Sequence, residues 1–242
     1  MAKKIKIRIV TLGAVPYSLD LTQISNKNSS IFEFISPVEN FNLNSNADGE
    51  NWSFTDSNLS KQLPEHDGED FLIALTNVQL ELNWYSRRLK DNCVVFTFHE
   101  IAEYLYLNNI PIENVVYRLL YAYSLVYLEG KNRIPASTEN TNFTHDETKG
   151  CIYDMNGHKY DIIHSCDQPI ICDACSHRLA SHGVSTSKIT QVKNELTKIK
   201  KKLYYRTSDW ISKHPVKSLI LATLWGFVIG MLTNFTSNIF GF

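Results

Sequence analysis

The fold class is decided by the central stretch of residues 93–128, which reads CVVFTFHEIAEYLYLNNIPIENVVYRLLYAYSLVYL. Its first six residues, Cys93–Phe98, form a continuous apolar run that is typical of a buried strand. Residues 99–108 then follow a helical pattern. Pro111 opens a stronger helix, in which apolar side chains recur every three or four residues. These side chains are Val115, Val116, Leu119, Leu120, Tyr123, Val126 and Tyr127.

The residues before this stretch also alternate between strand and helix patterns. Lys4–Leu12 alternates charged and aliphatic side chains, which predicts a strand rather than a secretory signal. Leu19–Ile24 predicts the start of a helix, and Ile31–Val38 and Phe71–Leu75 predict further strands. Residues 42–68 are rich in Asn, Ser, Asp and Gly and predict a long polar insertion. This alternation predicts an α/β fold, or an α+β fold.

Near the end of the sequence, residues 218–235 form an apolar run without a charged side chain. As a helix, this run is long enough to cross the hydrocarbon core of a bilayer, which is about 30 Å thick. Trp210, Lys213 and Lys217 precede it and resemble the aromatic and basic anchors of a membrane interface. We therefore predict a transmembrane helix at 216–238. The alternative is a buried C-terminal helix in the core of the domain.

The charge distribution predicts on which side of the membrane the domain lies. Residues 186–217 contain nine Lys and Arg and only two acids, a net charge of +7, whereas the rest of the chain carries −8. Basic residues that flank a span stay on the cytoplasmic side, so the N-terminal domain is expected to be cytoplasmic. The basic segment is expected to face the anionic lipid of the bilayer, and no nucleic acid partner is expected.

The basic segment has a periodicity of its own. Its apolar residues are spaced alternately three and four apart, at Ile189, Val192, Leu196, Ile199 and Leu203. This is the a/d spacing of a coiled coil, but a helix that docks on the domain would show the same spacing. The predicted organisation is a domain at 1–182, a basic helical stalk at 186–215 and the transmembrane helix.

Small residues form a stripe in the predicted span. Ala222, Gly226 and Gly230 lie four residues apart and therefore fall on one helix face. Such a face lets two helix backbones approach closely, so the sequence predicts a homo-oligomer through this stripe and the 189–203 stalk. Glycine is also common in spans that do not pair, and the alternative is a simple anchor.

The strongest chemical signal is a segment rich in cysteine and histidine at 145–182. Cys172 and Cys175 form a C-x2-C pair, which places two thiolates at one side of a tetrahedral metal site, and Cys151 is the expected third ligand. The candidates for the fourth position are His145 and, as alternatives, Cys166 and His164. Five cysteines without a secretory signal favour a metal over disulfides. Because four protein ligands leave no open position, the expected zinc in segment 145–179 is structural.

The order of these residues resembles the C-terminal part of the archaemetzincins, a branch of the metzincin zinc proteases. In that family a catalytic H-E-x-x-H-x-x-G-x-x-H motif is followed by Cys-x4-Cys-x-Met and later by Cys-x2-Cys. The last zinc-binding His of the family would fall on His145, and its second Cys on Cys151. Asp146 and Tyr153 stand where the family has Cys and Met.

The resemblance implies a metzincin-like mixed sheet for residues 5–179, since 73–80 and 94–98 are also similar to strands of the family. The sequence departs from the family at the active-site helix. That helix corresponds to 115–128, which contains no His and no Glu and so cannot hold a catalytic zinc or activate a water. The resemblance therefore implies a scaffold without its active site. The side chains expected to fill the cleft are Tyr117, Tyr121 and Tyr123.

One enzymatic motif competes with this interpretation. His99, Glu100 and Glu103 form H-E-x-x-E. On a helix, His99 and Glu103 would lie one turn apart and could share a metal with His145, while Glu100 acts as the base. The alternative is a helix start, where acidic residues are favoured by the helix dipole.

These patterns predict a membrane-anchored, non-catalytic zinc protein that acts as a sensor, scaffold or effector. The architecture of a small domain on a membrane tail suggests a setting in bacterial defence or the cell envelope. The alternative function is a membrane-anchored zinc metallopeptidase that uses His99 and Glu100.

Overall fold

Six strands form one mixed sheet in the computed structural model, which describes residues 3–146 and 148–240. At its centre, β1 (Ile5–Leu12) pairs in parallel with β4 (Phe71–Thr76). β6 (Cys93–Thr97) in turn pairs in parallel with β4. The sequence predicts all three strands, β1 from its alternation of charged and aliphatic residues and β4 and β6 from continuous apolar runs.

Short strands complete both sides of the sheet. β5 (Ser86–Arg88) pairs with β6 and is the antiparallel strand at one edge. At the other edge, β2 (Phe32–Phe34) and β3 (Glu39–Phe41) pair in parallel with successive parts of β1. The single strand predicted at Ile31–Val38 is therefore two strands. The mixed sheet and its helices confirm the α/β class.

Both faces of the central strands are covered, which explains their continuous apolar sequences. All six residues of β4 are buried. Ile73 and its neighbours on one face belong to the main core, which includes the helices of the C-terminal half. Leu72 and Ala74 point to the opposite face, where a second core also contains Phe54 and Leu59.

The predicted polar insertion at 42–68 is partly helical and supplies this second core. α2 (Asp56–Gln62) begins after Thr55, whose side chain accepts a hydrogen bond from the Asn58 N–H. Leu59 of α2 is fully buried and Phe54 is also buried, whereas Trp52 of the same insertion is largely exposed. A single buried leucine on a polar helix is a weak sequence signal, so the pattern did not predict α2.

The central helix of the main core is α4 (Glu113–Glu129), in which residues 113–127 are all buried. A helix that is apolar on every side needs such an all-round cover. Gly130 follows the helix at a place where a Cβ would collide with the carbonyl of Arg133. Two shorter helices, α1 (Leu21–Ser25) and α3 (Ile101–Leu107), lie where the sequence predicts helices.

The C-terminal part of the domain contains α5 (Asp173–Ser181) and α6 (Thr186–Leu196). Ile189, Val192 and Leu196 of α6 are buried in the main core, together with Ile199. The first compact unit of the chain accordingly extends to Lys200. These four residues therefore pack against their own domain, as the alternative to a coiled coil predicts. The coiled-coil interpretation of the predicted stalk has no support.

The second compact unit begins at Lys201 and contains α7 (Leu203–Lys213) and α8 (Pro215–Phe240). Leu203, the last residue of the apolar stripe, is largely exposed in this unit. Within α8, Pro215–Thr236 is long and apolar enough to cross a membrane, and none of it is buried. At 1.5 Å per residue, the 26 residues of α8 span about 39 Å.

Candidate metal centre

Three segments of the chain bring four potential ligands together. His145 and Cys151 flank a short loop, and the backbone at these positions forms bridges with Asp154 and Ile170. Cys172 is the N-cap of α5, and Cys175 lies in its first turn. The ligand atoms of the four side chains all lie within 4.8 Å of one another. Among the described residues, these four side chains form the one group of His, Cys, Asp or Glu with enough members, three or more, to hold a metal ion.

The distances within the cluster match a tetrahedral site. The Sγ atoms of Cys151 and Cys175 are 3.9 Å apart. The Nε2 atom of His145 lies 3.4 Å from Sγ of Cys151 and 3.5 Å from Sγ of Cys172. Four ligands around a zinc with bonds of about 2.3 Å to sulfur would lie about 3.8 Å apart. The cluster can therefore hold a metal ion, and its donors are compatible with zinc.

The cluster is largely closed to solvent. Cys151 and Cys175 are buried, and Cys172 is partly buried. The hydrogen bond between the two buried sulfurs lowers the pKa of the Cys151 thiol and raises the pKa of the Cys175 thiol. A divalent cation between them would stabilise both as thiolates.

Backbone groups hold two of the ligands in place. The Cys172 side chain accepts a hydrogen bond from the Cys175 N–H at 3.4 Å, which is the N-cap geometry of a helix. Nδ1 of His145 lies 3.2 Å from the Asp146 carbonyl oxygen, and donation to it leaves the Nε2 lone pair facing the sulfurs.

The alternatives for the fourth ligand lie outside the cluster. Cys166 is fully buried, and burial raises the pKa of its thiol to about 12. His164 lies instead near Asp161, with 3.8 Å between Nε2 and Oδ1. The fifth cysteine, Cys93, is buried in the second core, on the opposite face of the sheet from the main core. All five cysteines are free. Of the three candidates, His145 is the one that joins the cysteines.

The competing H-E-x-x-E motif does not form a helical pair of ligands. α3 begins at Ile101, so His99 precedes the helix, and Glu100 has a φ of 65° that no helix contains. The Glu100 carboxylate instead pairs with Lys159 at 3.1 Å. His99 and Glu103 are therefore not one helical turn apart on one face, and His145 lies with the cysteines. His99 and Glu100 lie in the junction between the end of β6 at Thr97 and the start of α3 at Ile101, so they do not have helical geometry.

The tyrosines of α4 are buried but do not fill one common cleft. The Tyr117 hydroxyl donates to the Gln23 carbonyl, and the Tyr121 hydroxyl donates to Glu195. Only Tyr123 faces the side of β5, where its hydroxyl lies 2.8 Å from the Ser86 hydroxyl. A cavity lies beside Tyr123.

Comparison of the chain with protein-family models, with curated proteins and with solved structures finds no match. The metal cluster and the apolar helix are consequently the two features from which a function can be inferred.

Proposed function

We propose that this chain is a membrane-anchored zinc protein with a non-catalytic role as a sensor, scaffold or effector. The observation that carries the proposal is the set of four side chains that converge in one partly buried cluster, at tetrahedral spacing. An apolar helix long enough to span a bilayer occurs in the same chain and supports the anchor.

Zinc is the metal that we assign to the cluster. Three thiolates and one imidazole form a ligand set that is common in structural zinc sites, and soft sulfur ligands favour zinc over magnesium or calcium. With four protein ligands, no position is left for a water or a substrate. The role of the ion is then to join the loop at 145–151 to the start of α5, so that binding free energy contributes to folding.

Two features support a non-catalytic role. α4 would be the active-site helix of a metzincin, but it has neither the two histidines that hold a catalytic zinc nor the glutamate between them. Among the described residues, no second cluster of three or more potential metal ligands accompanies the His/Cys cluster. On the metzincin-like scaffold that we propose, His145 has become a structural ligand, at the position where the family has its last catalytic histidine.

The orientation in the membrane follows from charge. We propose that α8 crosses the bilayer and that the basic residues of 186–217 keep the folded domain on the cytoplasmic side, against anionic lipid. A membrane-impermeant amine reagent should then label lysines of the domain only after the cell membrane is opened. Labelling in intact cells would contradict this orientation.

The metal content of the purified full-length chain tests the function. We expect one zinc per chain, and we expect the double variant Cys172→Ser, Cys175→Ser to contain none, while the control Cys93→Ser keeps its zinc. A metallopeptidase that uses His99 and Glu100 would instead hold a second zinc and would lose its peptidase activity in Glu100→Gln. Two zinc ions per chain together with such an activity would refute the non-catalytic proposal.

A further inference from the structure

A cavity of about 280 Å³ lies in the folded domain between the edge strand β5 and the helix α4. The remaining wall is formed by residues that come shortly before His145 and shortly after Cys151 in the chain, including Phe143, Tyr153 and Asp154. None of the four metal ligands lines it. The cavity is therefore a site separate from the proposed zinc centre.

Arg118 of α4 lines this cavity and forms no ion pair with a carboxylate among the residues that the structure describes. Arg118 is one of the largest buried residues among those described, and only 2% of its surface is exposed. Both Nε and Nη2 are buried without a hydrogen-bond partner. Its nearest described interaction is with the ring of Tyr85, whose centroid lies 5.6 Å from Cζ. Since a guanidinium remains charged in proteins, this burial is unfavourable unless an anion or water forms hydrogen bonds with its free N–H groups.

A second guanidinium in the cavity wall also forms no ion pair within the described part of the chain. Arg88 of β5 donates from Nη1 to the Pro135 carbonyl at 2.7 Å, and its Cζ lies 4.7 Å from the ring centroid of Phe143. The neighbouring Arg87 differs, because Asp56 neutralises it through two short hydrogen bonds. The carboxylate that acts on Arg88 belongs to Glu139 and is bonded to Arg133, so Arg88 adds positive charge to the cavity wall.

One acidic side chain, Asp154, lines the same cavity. Its Oδ1 atom accepts a hydrogen bond from the Asn156 N–H at 3.0 Å. Asp154 forms no ion pair with either arginine among the described contacts. With Arg87 paired to Asp56, the guanidinium groups of Arg88 and Arg118 against the one carboxylate of Asp154 leave the described lining with a positive charge, which favours an anionic occupant.

The other lining residues determine what kind of anion fits. Aromatic rings form much of the wall and come from three parts of the chain: Trp84, Tyr85, Tyr123, Phe143 and Tyr153. Flat apolar walls favour a flat apolar group, while the two arginines at the same cavity favour an acidic one. The volume is just below the range of about 300–1,000 Å³ that is usual for larger ligands, so one ring with its acidic group is a suitable size.

We propose that this cavity binds a small aromatic carboxylate or phosphate, whose acidic group pairs with the free N–H groups of Arg118. Nε and Nη2 of a guanidinium lie on one edge and present two parallel donors, which match two oxygens of a carboxylate or phosphate. Arg88 adds a second positive charge to the site. The proposal concerns neither the metal nor the membrane helix, so it can fail while the proposed function stands.

Calorimetric titration of the full-length protein in detergent tests the proposal with four probes. Benzoate and phenyl phosphate carry both a ring and an acidic group, benzamide has the ring without the charge, and inorganic phosphate has the charge without the ring. We expect saturable binding of benzoate or phenyl phosphate, and binding at least about tenfold weaker for benzamide and for inorganic phosphate. Absence of saturable binding by both aromatic anions would overturn the proposal.

Three variants connect the binding to Arg118. Arg118→Met should weaken binding of the aromatic anion by about tenfold or more, while Arg133→Met, at an exposed arginine paired with Glu139, should leave it unchanged. Ala122→Leu keeps Arg118 but fills part of the cavity, so it should also abolish binding and remains informative if Arg118→Met does not fold. Unchanged binding in either cavity variant would place the anion elsewhere and refute the assignment.

Discussion

At the scale of single residues, the metal cluster resolves a conflict between burial and charge. Cys151 and Cys175 are both buried, and their sulfur atoms lie close enough to share a proton. Two thiolates at this distance repel each other strongly in a medium of low dielectric constant. A bound cation converts this repulsion into attraction to a common centre, so the cluster should be more stable with its metal than without it.

The first prediction concerns the contribution of the metal to stability. In the double variant Cys172→Ser, Cys175→Ser, we expect the free energy of unfolding to fall by about 4 kcal/mol or more, because two of four ligands are lost. Thermal unfolding of the zinc-loaded protein measures this change, and limited proteolysis should show cleavage within 145–182. Cys166→Ala is the matched control and should keep its metal. Loss of metal in the control would show that Cys166 is a ligand.

The carboxylate of Glu195 in α6 joins three parts of the domain by hydrogen bonds. Its carboxylate accepts hydrogen bonds from the side chains of Ser29, Ser30 and Tyr121 and from the Ser30 N–H, at 2.6–2.8 Å. Burial opposes the ionisation of Glu195, but these hydrogen bonds outweigh it and lower the pKa of the carboxyl. The ionised form is therefore the one that the folded state stabilises.

The second prediction follows from this lowered pKa. The contribution of Glu195 should be fully present above its unfolded-state pKa of about 4.3 and should be lost as the pH falls below it, through the folded-state pKa. Glu195→Gln should cost about 1–3 kcal/mol at neutral pH. The difference from the wild type should shrink as the pH falls below about 4.3, which denaturant unfolding at several pH values can measure. The exposed Glu33→Gln serves as the control, and a pH-independent difference for Glu195→Gln would contradict the linkage.

At the scale of elements, α6 shows why an apolar periodicity does not identify the partner of a helix. A stripe at three- and four-residue spacing forms whether a helix packs on a second helix or on its own domain. In the structure, Leu196 at the end of α6 is fully buried in the main core, whereas Leu203 of the same stripe is 74% exposed. The stripe therefore changes its environment between these two leucines.

The third prediction uses this pair of leucines. Leu196→Ala should lower the free energy of unfolding by about 2–5 kcal/mol, because it opens a cavity in the main core. Leu203→Ala should change it by less than about 0.5 kcal/mol, as is usual for exposed positions. Chemical denaturation of the two full-length variants measures both values. Similar losses in the two variants would favour a continuous coiled coil over docking.

The elements that the sequence predicts well are those with long apolar patterns. β1, β4, β6 and α4 each contain a run that is buried on all sides, and such a run is distinctive. β5 is only three residues long and polar, so no periodicity can indicate it. Its position at the edge of the sheet depends on pairing with β6, which is a tertiary contact.

The candidate site could be predicted only where chemistry is encoded locally. The C-x2-C pair at Cys172 and Cys175 is such a case, since its geometry is set by one helical turn. The choice of His145 over Cys166 depends on how two distant segments meet, which spacing cannot decide. Arg118 was not singled out, although one arginine among the apolar residues of a buried helix is a signal that could have indicated it.

At the scale of the whole molecule, the metal cluster and the apolar helix α8 belong to different compact units of the chain. The unit that ends at Lys200 contains the metal cluster, and the unit that begins at Lys201 contains the apolar helix α8. In α8 the small-residue stripe is open, because a Cβ added at Gly226 or Gly230 would meet no other atom within 4 Å. In lipid, association between helices depends on close packing at such stripes, since the bilayer is as apolar as the side chains.

The last prediction is that this stripe mediates self-association of the chain in the bilayer. We expect the double variant Gly226→Ile, Gly230→Ile to insert into membranes normally, because isoleucine is at least as apolar as glycine. It should nevertheless show much weaker cross-linking between chains, because the branched side chains keep two backbones apart. Val228→Ile is the matched control, since residue 228 lies on the opposite face of the helix, and it should cross-link like the wild type. Cross-linking that is unchanged in the double variant would show that α8 is a simple anchor, and any signal that the domain transmits would then have to act within a single chain.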